Sequence, residues 1–346
     1  MSQTDNLTHR EKEILRFVIS DFIETATPIG SKFVSKQHNL DISPATIRSV
    51  MADLELRGFI DHPYTSAGRV PTDKGYRYYV ESLMELSTLS EEERISIDRQ
   101  LSTSKDDNEM LRETSKLLGT ISRQLCVVTT PQLATGILER VELVSLSSTK
   151  LMVIISMRSG VVKTIMFEAT SEISRSHLDI ITSLLNERLT GLTLQQIRET
   201  FIERFRDVQS EETGLIRLFI DSVDKIFIEA KSPEKIHISG AENIIVQPEF
   251  FNPKNFRSVV ELINDQEMII HVLQIDDATN ESKNVTVAIG EELGNIRLSD
   301  YGVITSQYHY GDVSGRIGVI GPKRMNYARV VPLVDYLAAT VSRLLS

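Results

Sequence analysis

The sequence predicts an α+β, multidomain fold: a small N-terminal winged helix-turn-helix unit, then an α/β sheet domain interrupted by a mainly helical insertion. Three observations carry this expectation. At 346 residues the chain is too long for one compact core and divides into two or three units of ordinary domain size. Helical spacing, a hairpin signal and helical spacing again follow one another within the first 86 residues. Beyond them come strand-like runs, a block of helices and strand-like runs once more, the order that a sheet with an insertion produces.

Thr8 with Glu11 three residues on forms a capping-box pattern, and Ile14, Leu15, Val18, Phe22 and Ile23 follow at helical spacing, so the first helix is expected over 9–24. Pro28 and Gly30 break it, and Ser31 caps a short second helix ending near Asn39. The third helix has Ser43 as cap, Pro44 at its first position and Gly58 just past its end. At about 100° per residue, Ile47, Val50, Met51 and Leu54 share one sector, while Ala45, Arg48, Ser49 and Ala52 share the other. Phe59 to His62, a tip from Tyr64 to Gly68, and Arg69-Val70 read as strand, turn and strand. Thr72 then caps a fourth helix with Tyr76, Tyr79, Val80, Leu83 and Met84 on its apolar side, closing a unit over 1–86.

Residues 87–108 are polar and read as a linker containing a short helix. A helix over 108–125 places Met110, Leu111, Thr114, Leu117, Leu118, Ile121 and Leu125 inward. Runs at Leu138 to Leu146, Leu151 to Met157 and Val161 to Glu168 are close enough in sequence to be antiparallel hairpins. Helical spacing returns in three sets: Leu178, Ile181, Leu185, Leu189; Leu194, Ile197, Phe201, Phe205; and Leu215, Leu218, Ser222, Ile226. A mixed stretch and the polar loop Asp276 to Asn284 lead to strands near Val285 to Ile289, Gly302 to Tyr308 and Ile317 to Ile320. The last helix runs from Tyr327 to Leu344, its apolar stripe suited to packing on the chain's own sheet or, as the lesser alternative, to a dimer seam. The expected sheet domain therefore covers 109–170 and 275–346, and the insertion 171–274.

The single cysteine, Cys126, placed at a helix end, excludes an intrachain disulfide and a thiolate-rich zinc site, and fits a cytoplasmic chain. No apolar run is long enough to span a membrane. Walker A, H-E-x-x-H and G-x-S-x-G patterns are missing, the seven histidines are scattered singly, and Gly315, Gly318 and Gly321 lack dinucleotide-fingerprint spacing. No enzyme, cofactor or metal is expected. A net charge of −10 makes whole-molecule attraction to nucleic acid poor, so any DNA contact must be local.

That local site is the small face of the third helix. A recognition helix enters the major groove only where its exposed side chains are not crowded, and Ala45, Ser49 and Ala52 meet that demand. Arg48 can reach guanine bidentately or clamp a phosphate, Thr46 and Ser49 can donate to phosphate with Ser43 as the cap, and Pro44 and Ala45 can meet a thymine methyl. At the hairpin tip Thr65, Ser66, Gly68 and Arg69 suit phosphate or the minor groove. Residues 1–86 hold 10 Lys/Arg against 12 Asp/Glu, net −2, whereas within 62–79 Arg69, Lys74 and Arg77 face only Asp73, locally +2. The same architecture also serves protein contacts, which the net −2 favours.

The segments Ser43 to Glu55 and Pro63 to Val80, with Ala288 to Glu292 and Gly315 to Met325, resemble the blocks of the heat-inducible transcription repressor family HrcA. Tyr64 and Asn326 depart from its usual residues. The resemblance implies a dimeric repressor of chaperone operons that binds the inverted-repeat operator CIRCE on double-stranded DNA. It also implies a winged helix, a GAF-like domain, a dimerising domain inserted into it, and the chaperonin GroEL as modulator.

Overall fold

The computed structural model describes residues 6–38, 42–63, 68–131, 136–168, 175–207, 236–274 and 284–345. The first helix, α1 (His9–Thr25), is capped as its sequence dictates: the Thr8 N–H donates to Glu11 Oε2 at 2.6 Å and the Glu11 N–H to Thr8 Oγ1 at 3.3 Å. The second, α2 (Ser31–Gln37), is capped by Gly30 and not by Ser31, which is its first helical residue and is buried. In α3 (Pro44–Leu56) the Ser43 hydroxyl accepts the Thr46 N–H at 3.2 Å, with Pro44 at the first position. Ile47, Met51 and Leu54 bury the apolar face of α3 against α1 and α2. A short antiparallel hairpin follows, β1 (Ile60–Asp61) with β2 (Val70–Pro71), pairing Ile60 with Pro71 and Asp61 with Val70. The next helix, α4 (Asp73–Tyr78), is capped by Thr72 and widens into a π-type turn over Tyr79–Leu83.

The stretch read as a linker holds a full helix, α5 (Glu91–Ser102), with Ile97 and Leu101 buried. It is followed by α6 (Asp107–Ser122) and β3 (Leu125–Thr129). Leu125 and Cys126 thus begin a buried strand, where the sequence reading ended the helix at Leu125 with Cys126 just after it. Arg123, at a left-handed φ of 55°, ends the helix without the glycine that usually marks such a stop.

Three strands come next, β4 (Leu138–Ser145), β5 (Lys150–Met157) and β6 (Val162–Glu168), in that order in an antiparallel sheet of their own. The helices α7 (Arg175–Leu189) and α8 (Leu194–Arg204) follow. The alternation of β5 puts Leu151, Val153, Ile155 and Met157 on one face, where they form a single core with Leu178, Ile181, Leu185 and Leu189 of α7 and Leu194, Ile197 and Phe201 of α8. Asn186 closes the free edge of β4, accepting the Val141 N–H and donating to the Val141 carbonyl, each at 2.8 Å.

The remaining described residues include β7 (Ile236–Ser239), α9 (Ala241–Ile245), α10 (Pro253–Asn264), α11 (Gln266–Leu273), β8 (Val285–Ile289), β9 (Tyr301–Tyr310), β10 (Val313–Pro322) and α12 (Tyr327–Leu345). With β3 these strands build a five-stranded sheet of order β7-β3-β10-β9-β8. In α12, Tyr327, Val330, Leu333, Val334 and Leu337 are buried, and α5 lies along the helix: Tyr336 donates to Asp98 at 2.8 Å and Arg329 pairs with Glu93.

The chain forms two compact units. One comprises 1–128, 238–306 and 317–339; the other comprises 129–237, 307–316 and 340–346. This grouping differs from the expected insertion limits at 171 and 274, because strands β4 to β6 share a core with α7 and α8 and belong to neither edge of the five-stranded sheet. Pairing between remote strands is not written in local periodicity. The third helix expected in the insertion, around Leu215 to Ile226, lies outside the described residues.

Candidate nucleic-acid interface

The periodicity of α3 does what the sequence reading expected of it. Ser43, Pro44, Ala45, Arg48 and Ser49 are exposed, and Thr46 and Ala52 are half-buried. The Ser43 and Thr46 hydroxyls lie 3.0 Å apart, so one of them donates to the other while the second keeps a hydrogen to offer outward. The face has a limit the sequence reading did not mark. Advancing about 100° per residue, Leu56 falls on the same side and Asp53 on its flank, both exposed. The uncrowded surface without an acid is therefore the N-terminal half of α3.

The hairpin places Gly68 and Arg69 differently from each other. Arg69 and Ile29 exchange both backbone hydrogen bonds, at 2.8 and 2.9 Å, which ties the returning strand to the chain just before α2. This is why position 68 is glycine: a Cβ there would lie 2.5 Å from the Ile29 carbonyl carbon. The Arg69 side chain is only 14% exposed and pairs with Glu55 of α3 at 2.8 Å. It also donates to His62 Nε2, and a neutral imidazole that accepts there carries its proton on Nδ1, from which it donates to Glu55. Arg69 is thus engaged in a ring of three side chains joining hairpin to helix. The sequence reading offered Arg69 to phosphate or the minor groove; the structure pairs its side chain with Glu55 and His62. Thr65 and Ser66 lie outside the described residues.

The charge balance of the N-terminal segment is likewise rearranged by the fold. Arg77 pairs with Glu292, Asp73 with Lys323, Arg57 with Glu11 and Arg16 with Glu85, and Lys74 donates to the Arg57 carbonyl. Within 62–79, Arg77 and Asp73 thus find partners far away in sequence and Arg69 is held by Glu55 of α3, so the local +2 is not a count of free charge. By contrast Lys32 and Lys36 of α2 and Arg48 of α3 are exposed and make no ion pair among the described residues. Lys32 and Lys36 stand four apart, on one face of α2. Sequence reading passed over them, although that spacing on the helix before α3 was the available signal. The arrangement offers three cations and an uncrowded helix end on neighbouring elements, a surface fit for an anionic backbone and a groove edge.

No helix among the described residues is long and apolar enough to cross a membrane. Residues 108–331 match the family model described as the HrcA protein C-terminal domain. The chain is 42% identical to the heat-inducible transcription repressor HrcA of Prosthecochloris aestuarii over 348 residues, covering 98% of each. It is 41% identical to that of Chlorobium phaeobacteroides strain BS1 over 349 residues, covering 99% of each. Among solved structures it aligns with a hypothetical protein determined at 2.2 Å, with a TM-score of 0.57, 24% identity, and coverage of 98% of this chain and 99% of that one, a likeness of fold.

Proposed function

Because the chain belongs to the HrcA family of heat-inducible transcription repressors, we propose that it represses heat-shock chaperone operons by binding the CIRCE inverted repeat as a homodimer. In this reading residues 1–86 work as a winged helix-turn-helix. The five-stranded sheet is the GAF-like part, and the three-stranded sheet with α7 and α8 is the dimerising insertion. The protein acts in the cytoplasm and not as an enzyme.

The observation that carries the reading is the sorting of charge and bulk over α2 and α3: Arg16, Arg57, Arg69 and Arg77 are held by acids, while Lys32, Lys36 and Arg48 stay exposed beside the short side chains of Ala45 and Ser49. The N-terminal half of α3 would enter the major groove, with Arg48 reading guanine or gripping phosphate and the α2 lysines gripping backbone. Two-fold symmetry would set two α3 helices on successive groove faces, about one turn of DNA or a multiple apart. Loss of active repressor on heating would release transcription, with the GroEL chaperonin restoring the active form.

A titration of the purified protein against the inverted-repeat duplex and a scrambled duplex of equal length, over a range of salt, tests this. Binding tighter to the inverted repeat by about a thousandfold or more is expected. Equal affinity for the two duplexes, or a monomer at binding concentrations, would refute it.

A further inference from the structure

The N-terminal segment is joined to the five-stranded sheet by more than the chain connection. Helix α4 is seated in a socket made by β8, the turn after it and the turn between β10 and α12. Arg77 donates from Nε to Glu292 Oε1 at 2.8 Å and from Nη2 to the Val287 carbonyl at 2.6 Å, and a second Glu292 oxygen completes the fork. One helical turn earlier, Asp73 accepts from Lys323 at 2.6 Å and from the Glu291 N–H at 3.1 Å. Between them Tyr76 meets Tyr327, ring centroids 6.3 Å apart, both buried. Gly290, at φ +56°, presses so close that a Cβ would lie 2.0 Å from Asp73 Oδ2. Beside the socket Arg324 reaches Glu249 and Gln247 and donates to the Ile23 carbonyl of α1 at 3.2 Å.

The two ion pairs have opposite polarity. On α4 the acid comes first and the base four residues later; on the sheet side the base faces the acid and the acid faces the base. Shifting α4 by one turn, or reversing it, would set like charges against each other, so the socket selects one seating. Both pairs are about one-quarter to one-third exposed on each side, so each alone is modest in energy. Their value lies in orientation.

We infer that Asp73, Arg77, Glu292 and Lys323 determine specificity for operator spacing: the socket fixes the direction in which α3 leaves the body, and hence the half-site separation a dimer accepts. The inference rests on the proposed binding of an inverted repeat by a dimer. With the socket intact both recognition helices are pre-organised for one spacer. With it loosened each can still find a half-site, but the second engagement loses its advantage in effective concentration.

The test uses the full-length protein in three forms: wild type, Glu292→Gln/Lys323→Met, and Gly290→Ala, whose added methyl wedges against Asp73. Each is titrated against the inverted repeat, the same repeat with its spacer lengthened by about half a turn (roughly 5 base pairs), a single half-site, and a scrambled duplex. Wild type should lose about tenfold or more on the altered spacer. Both variants should bind the native-spacer duplex about tenfold more weakly, discriminate the spacers by less than about threefold, and bind the half-site within about twofold of wild type. A wild-type spacer preference in both variants would overturn the inference, as would equal losses on half-site and full operator, which would mean that the socket only supports the fold of α3. Failure of wild type to prefer the inverted repeat over the scrambled duplex would overturn the repressor reading and the inference together, an outcome told apart because it is seen before any variant is compared.

Discussion

Replacing Arg69 by alanine separates a structural role from a DNA-contacting one. The side chain is 14% exposed and its partner Glu55 is 28% exposed, at 2.8 Å. Exposed pairs contribute under about 1 kcal/mol and breaking fully buried ones costs about 3–5 kcal/mol. A pair of intermediate burial, with His62 as a third member, should lie near 2 kcal/mol by that interpolation. At about 2–4 °C per kcal/mol for a unit of this size, Arg69→Ala should lower the melting temperature by about 4–8 °C. Glu55→Ala should cost a similar amount, and the double variant should cost clearly less than the sum, because the second substitution removes a group already without its partner. The backbone bridge between Arg69 and Ile29 survives the substitution, so the hairpin keeps its course. The assay joins thermal unfolding with DNA titration between about 50 and 200 mM salt. A phosphate-contacting arginine would flatten the slope of log K against log salt by about 0.9 on removal. The geometry here leaves the slope unchanged. An unaltered melting temperature with a slope reduced by about one would refute the reasoning.

Arg48→Ala should cost about 1–3 kcal/mol on the inverted repeat if it reads a base, measured by the same titration; unchanged operator affinity removes it from the interface. Lys32→Ala and Lys36→Ala should each flatten the salt slope by about 0.9 and weaken specific and random DNA alike, and a loss confined to one base pair would contradict that role. Burial pushes the Cys126 thiol up to about 12, against a smaller opposing effect of the Ser122 hydroxyl, so it stays protonated at neutral pH; a thiol reagent should label it only on unfolding, and rapid labelling of the native protein would disprove this. Burial of Glu11 works against its charged form, but the Thr8 backbone N–H and hydroxyl and the Arg57 charge more than offset it, holding its carboxyl below the ordinary value. Its contribution to stability is therefore complete above the ordinary glutamate value of about 4.3 and is lost as pH falls through the lower folded value. Glu11→Gln should shrink the acid-induced drop in melting temperature, and an identical drop in both proteins would show that Glu11 makes no such contribution.

The fold was legible where the signals are local. The ends of α3 are written in Ser43, Pro44 and Gly58, and the buried stripe of α7 in Leu178, Ile181, Leu185 and Leu189. Strand β3 was not legible, because Leu125 to Val128 is an uninterrupted apolar run following an apolar helix, and a central strand buried on both faces shows no alternation to distinguish it. The partition into sheets failed for a related reason. Local spacing reveals that β4, β5 and β6 are strands, but their side chains choose the α7–α8 core over the five-stranded sheet through contacts that no window of sequence contains.

The same distinction divides the interface. Which residues of α3 face outward follows from about 100° per residue, a property of the helix alone, and the structure agrees over Ala45, Arg48 and Ser49. Which cations remain available is a property of the whole unit. Arg77 finds its acid 215 residues away and Asp73 its base 250 residues away, so a charge count over 62–79 locates the positive surface on the hairpin and α4. Folding engages Arg77 in seating α4 and Arg69 in bracing β2 against α3, and leaves Lys32, Lys36 and Arg48 exposed on α2 and α3. A substitution series guided by sequence charge would spend itself on Arg69, Lys74 and Arg77 and would find losses of stability or of spacing. One guided by unpaired charge would begin at Lys32, Lys36 and Arg48, where the expected loss is of DNA affinity with the melting temperature held.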